Sequence, residues 1–269
     1  MYIERGKKSK KVQNEVKFML IRKSYFLIVL VLAMAVFTCS CKKVNSKSLN
    51  KLTIKDIAFD ANKKSGYTIY INENSSYVPY LVLTSDYNGN ALLLRKDVLD
   101  DDHIFNDYIG YYKDSLIDEF LNSEYLSTLD SKLQDIIIDS EITITTESSL
   151  GIAGTDTENI NRKIFLLSCT ETGIFDTSFT GEEGEALKYF NDVESRIAYG
   201  NGMARSWWLR TSYTIHDSAA WVIFTKGEWG AAGANEASGV RPAFCLDSTT
   251  LIEERDNIVD GEMVYVIKE

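Results

Sequence analysis

Two prolines and two histidines are all that 269 residues contain, and cysteines number four. Cys39 and Cys41 close an N-terminal apolar run, so two thiols, Cys169 and Cys245, remain for the rest of the chain. With His103 and His216 as the sole imidazoles, they make a poor structural zinc set. No metal and no cofactor is expected. There is no G-x-G-x-x-G opening a helix, no P-loop, no G-x-S-x-G and no H-E-x-x-H, so the usual nucleotide, serine-hydrolase and zinc-protease signatures are missing. No internal repeat is visible. No catalytic set emerges, and the chain is not expected to be an enzyme.

Positive charge is scarce beyond the N-terminus. Residues 1–43 hold ten Lys or Arg and two acids; taking that +8 from the chain's net −10 leaves −18 on residues 44–269. A domain this acidic is repelled by nucleic acid and by anionic head groups, which argues against nucleic-acid partners. The charge reads as solubility at a cell surface.

The N-terminus carries an address. Arg22 and Lys23 precede an apolar run from Tyr25 to Phe37, followed by Thr38-Cys39-Ser40-Cys41-Lys42-Lys43. A positive start, a short apolar core and small residues at its end describe a secretory signal. The run has 13 residues, short of the roughly 20 that span a bilayer. A Cys after a small residue at that boundary resembles a bacterial lipoprotein lipobox. Cys41 after Ser40 is the expected lipid acceptor, with Cys39 after Thr38 as the alternative. The departure is Thr38, three residues before Cys41, where Leu or Val is usual. The competing reading is an uncleaved membrane helix over Ile21 to Cys39. Met19-Leu20-Ile21-Arg22-Lys23 is a more ordinary beginning than the Lys-rich leader Met1 to Phe18. The expected organisation is leader and signal over 1–41, a tether over 42–52 and one domain over 53–269. The localisation that follows is the extracytoplasmic face of the cell membrane.

Within the domain, β-branched and aromatic residues predict strands at 66–71, 80–85 and 91–95, with Asn88-Gly89 as a hairpin turn. Asp114 or Ser115 caps a helix through about Asn122, with Leu116, Ile117, Phe120 and Leu121 on one face. A second short helix or turn follows over 124–134. Strand is expected at 135–146 and 164–168, loop over 148–161, and a short helix at 183–191 with Leu187 and Phe190 inward. Residues 197–205 read as Gly-rich and irregular. Further strands are expected at 207–210, 219–225, 228–232, 239–246 and 262–268. Asp100 to His103 reads as a solvated loop. Cys169 and Cys245 lie in apolar runs and read either as one disulfide or as buried thiols. Many short strands with few helices indicate an α+β fold.

The densest stretch runs from Ser206 to Asp247, as SWWLRTS, AAWVIFTKG and GVRPAFCLD; it holds all four tryptophans. Trp207 and Trp208 are adjacent, so on a strand they point to opposite faces. Arg210 and Arg241 each need a carboxylate, a carbonyl or an aromatic face if buried. Trp207, Trp208, Arg210, Trp221 and Arg241 are therefore read as structural. Loops on such a scaffold concentrate binding residues. Tyr213, His216, Asp217, Trp229, Asn235 and Glu236 fall in polar or Gly-rich connections and are the ligand-binding candidates. Trp229, flanked by Gly227, Gly230, Ala231 and Ala232, suits stacking on a sugar or peptide, or packing beside Trp221.

These segments carry a family resemblance. SLIDEFLNSEYLSTL, IFLLSCTE, SWWLRTS, AAWVIFTKG and GVRPAFCLD are similar to the ordered motifs of a bacterial and phage domain-of-unknown-function family, number 6273. The helix departs from the pattern: Asp118 and Phe120 stand where Arg and Trp are usual. That family in turn resembles the C-type-lectin-like fold of formylglycine-generating enzymes and phage receptor-binding proteins. The resemblance implies a mixed domain with a twisted antiparallel sheet, short helices and long irregular loops. Three functions compete. The first is a non-catalytic binding module for an extracellular glycan, peptide or protein, held to the membrane by a lipid anchor. The second is an oxidase like the formylglycine-generating enzymes, which would need Cys169 and Cys245. The third is a structural envelope protein.

Overall fold

Asn88 and Gly89 take positive φ, 51° and 84°, in the computed structural model of this chain. Two successive left-handed residues suit a two-residue hairpin turn. The structure describes residues 51–62, 66–175, 180–259 and 262–268. The expected leader and signal, with Cys39 and Cys41, lie outside the described residues, as does most of the tether.

After a short helix α1 (Ile54–Ile57) come β1 (Thr68–Glu73), β2 (Ser76–Tyr87) and β3 (Asn90–Arg95). They pair as an antiparallel meander across the Asn88-Gly89 turn. β4 (His103–Ile104) is a two-residue strand in the segment read as a loop. The next helix starts where Ser115 caps it, its hydroxyl accepting from the Asp118 N–H. It runs as α2 (Leu116–Phe120), widens to a π turn over Leu121–Tyr125 and closes as α3 (Leu126–Thr128). Ile117 and Leu121 are buried, but Leu116 is exposed. α4 (Ser131–Ile136) follows, capped by Asp130. It occupies the start of the segment expected as strand, and β5 begins only at Ser140.

β5 (Ser140–Thr145) pairs with β6 (Thr157–Arg162). The expected loop over 148–161 is thus partly strand. Its sequence, TENINR, buries only Ile160 well, so it lacks the apolar alternation that marks a strand. β7 (Ile164–Phe165) is short, and residues 183–191 form no helix. Leu187 and Phe190 do point inward. Gly184 has φ 84° and Leu187 N–H bonds Glu171 O at 3.1 Å, so tertiary partners hold this segment instead of a helical ladder. The stretch read as irregular forms a hairpin of β8 (Ala198–Gly200) and β9 (Met203–Arg205).

The last third is β10 (Trp207–Ser212), β11 (Ala219–Ile223), β12 (Trp229–Gly233), β13 (Ala237–Ser238), β14 (Ala243–Leu246), β15 (Ile252–Val259) and β16 (Glu262–Ile267). β15 had no sequence signal because charge, not alternation, dominates IEERDNIV. A seven-stranded sheet has the order β15-β16-β1-β2-β3-β14-β7, and β10-β11-β12 form a separate three-stranded sheet. The larger sheet is mixed, since β1 and β16 run parallel. Strands dominate and helices are few and short: the fold is β-rich. Among the described residues no helix is long and apolar enough to cross a membrane.

Candidate functional site

Arg210 sits on β10 with its side chain fully buried. Its Nη1 and Nη2 donate to Glu171 Oε2 and Oε1 at 2.6 and 2.8 Å, a two-pronged pair. Nε donates to Thr143 O and Nη1 also to Leu166 O. Glu171 further accepts from the Ser168 N–H and the Tyr87 hydroxyl. A second carboxylate, Glu183, lies 3.9 Å from Arg210 Nε and accepts from Thr145 N–H, Thr145 Oγ1 and Thr211 Oγ1. Burial lifts the Glu183 carboxyl above its usual value, against the pull of Arg210 and the threonine bonds. Burial, then Glu171, raises the Tyr87 phenol well above its range. Burial works against the Arg210 charge and Glu171 works for it; the balance raises its pKa. Every guanidinium nitrogen is satisfied, so this network braces strands and is not free to bind a ligand.

Arg241 is held differently. Its guanidinium lies 5.0 Å from the Trp207 ring centroid, and Nε donates to Arg95 O at 2.9 Å. Among the described residues Nη1 has no hydrogen-bond partner. Burial lowers its pKa to about 10. Trp207 and Trp208 are both fully buried. Their indole N–H groups donate in different places, to Arg196 O and to His103 O. Neither contributes to a surface platform.

The six ligand-binding candidates fall in two groups. His216 and Asp217 are exposed in the turn after Tyr213, beside exposed Asn235 and Glu236; Ala234 N–H to Ser218 O joins the two turns at 2.8 Å. Trp229 stands at the far end of β12. An aromatic line links the groups: His216 to Tyr213 at 5.8 Å, Tyr213 to Trp221 at 5.2 Å, Trp221 to Trp229 at 5.2 Å between centroids. Trp221 is buried in that line, whereas Trp229 keeps 38% of its surface exposed. Trp229 thus packs on Trp221, as one of its two sequence readings expected, and still meets solvent. Exposed Phe224 lies on the opposite face of the sheet, over Gly230, where an added Cβ would fall 2.7 Å from the Phe224 ring.

A cleft of about 480 Å³ lies elsewhere, over the Arg210 network. Tyr87 and Thr143 belong to both, Gly184 of the lining lies against Glu171, and the rim carries Asp86, Glu141 and Glu185 against Lys188. Among the described residues no three His, Cys, Asp or Glu are grouped to hold a metal. Cys169 and Cys245 are both buried and are not joined in a disulfide, and burial pushes the Cys245 thiol up to about 12.

Sequence reasoning missed Glu171, Glu183 and Tyr87. Glu171 had a signal, as the last residue of IFLLSCTE. Glu183 had none, since an acid among Glu182, Gly184 and Glu185 reads as surface. The helix motif also gains roles. Asn122 Nδ2 donates to Ile164 O at 2.9 Å and its Oδ1 accepts from the Ile164 N–H at 3.1 Å. Tyr125 joins Tyr80, Glu73 and Arg95 in a second buried polar network. Asp118, the departure from the family pattern, accepts from Arg162 Nε at 2.8 Å.

A family model described as a domain of unknown function, DUF6273, matches residues 88–248, more than half of the chain. No curated protein matches the chain, and no solved structure does.

Proposed function

The chain belongs to the DUF6273 family, and from that membership we propose a non-catalytic binding domain of C-type-lectin-like type. Its contact surface is the exposed aromatic end of the β10-β11-β12 sheet. The observation that carries the reading is Trp229: an exposed indole fixed in place by a buried one. Large rigid aromatics supply contact area at small entropic cost, which is why they anchor ligands. The domain is displayed outside the cell, tethered to the membrane by a lipid on Cys41. Buried thiols, one of them raised far above neutral pH, count against the oxidase alternative.

Two experiments test this. Screening the chain on a glycan array and a displayed-peptide library should yield ligands of at least one class; silence in both would sink the binding reading and favour a structural envelope role. Metabolic palmitate labelling should tag the wild-type chain and not Cys41→Ser. Label that persists there and vanishes in Cys39→Ser moves the acceptor; label absent from the wild type refutes the anchor.

A further inference from the structure

β12 turns one side of its backbone away from its sheet neighbour. Two bonds set the phase of its ladder with β11: Ala234 N–H to Ser218 O at 2.8 Å and Phe224 N–H to Glu228 O at 2.7 Å. With Trp221 opposite Ala231 and Ile223 opposite Trp229, the even-numbered residues face β11, because antiparallel pairs alternate between bonded and unbonded. Trp229, Ala231 and Gly233 therefore turn their N–H and C=O groups outward. β11 is the sheet neighbour of β12. Among the described residues one of these outward groups has a backbone partner, Gly233 O, which accepts from Glu236 N–H.

The margins of the large sheet are guarded. β15, at one end of the large sheet, carries Glu253, Glu254, Arg255 and Asp256; charge on an edge strand discourages a further strand. β7, at the other end, is two residues long, and Asn122 takes both backbone groups of Ile164. β12 has five residues, Trp-Gly-Ala-Ala-Gly, without charge or proline.

We propose that β12 is a strand-addition site, taking an extended segment of a partner protein, basic at its ends, as a fourth strand of the β10-β11-β12 sheet. The inference rests on the reading of this sheet as the binding face and names its ligand class. Outward backbone groups at every second residue match an extended peptide backbone and not a sugar ring. Exposed Glu228 and Glu236 flank the strand, which selects basic ends. A second copy of the chain is the poorer occupant, since each copy carries −18 on residues 44–269 and like charge opposes pairing.

The test uses the full-length chain in detergent micelles and a fluorescent peptide, Lys-Thr-Val-Thr-Val-Thr-Lys, with anisotropy and amide exchange by NMR. Binding should slow exchange of the Ala231 amide at least ~10-fold, the factor that a tenfold ligand excess over Kd gives. Ala231→Pro removes one outward N–H and no bond to β11, and should weaken binding at least ~10-fold. Ala231→Lys, which adds the kind of guard that β15 carries, should do the same while keeping the N–H. Methylating alternate peptide amides should abolish binding. No binding, or binding that leaves Ala231 exchange unchanged, overturns the proposal. So does a dimer that shields the same amides without peptide. A glycan that needs Trp229 but ignores Ala231→Pro overturns strand addition and leaves the binding face standing; ligands indifferent to Trp229 remove the face itself.

Discussion

Glu171 and Arg210 lie 39 residues apart in sequence and share one buried ion pair. Removing one partner of such a pair strands the other charge, at about 3–5 kcal/mol. Glu171→Gln should therefore lower unfolding free energy in urea by that amount, and a loss below about 1 kcal/mol would contradict the assigned role. Glu183 adds a pH dependence. Its folded pKa is raised, so the native state holds the extra proton. The contribution is complete below the ordinary carboxylate value of 4.5 and is lost as pH rises through the raised native value. Urea midpoints measured upward from pH 4.5 should fall through that window for the wild type and not for Glu183→Gln. A parallel fall in both would assign the slope to other groups.

At the scale of elements, legibility followed local chemistry. The Asn88-Gly89 hairpin, the Ser115 cap and the apolar runs of β10, β11 and β14 were readable because the turn residue, the cap or the apolar run that makes them is in the sequence itself. β6 and the β8–β9 hairpin were not, because polar strands lack alternation and are fixed by their partners. Residues 183–191 misled for a related reason. Leu187 and Phe190 have helical spacing, yet Gly184 at φ 84° and the buried Glu183 carboxylate hold the chain open. Trp207 and Trp208 were legible as structural, but not that both would be covered. The π turn over Leu121–Tyr125 belongs to the same level: it lies between the Ser115 cap and Tyr125, and Asn122 within it closes the edge of β7. Asn122→Ala leaves the Ile164 N–H without that acceptor. Amide exchange at Ile164 should speed at least ~10-fold, about 1.4 kcal/mol within the usual cost of an unsatisfied group. Unchanged exchange would mean that the amide does not hold that edge.

At the scale of the molecule, the family match divides the large sheet along one line. Residues 88–248 contain β3, β14 and β7, while β15, β16, β1 and β2 stand together beyond β3. The flanking strands are still bound into the matched part, because Tyr87 of β2 reaches Glu171 and Glu73 of β1 meets Arg95. Two buried networks thus join flank to family core. The large sheet and these networks form the support, and the closing sheet carries the exposed aromatic edge. The most direct test of that division compares ligands selected on the wild-type chain with their binding to Trp229→Ala. The account predicts an affinity loss of at least ~10-fold, about 1.4 kcal/mol, with circular dichroism unchanged. Ligands that bind both chains equally, and are displaced by substitutions at Asp86 and Glu185 in the polar cleft, would contradict it.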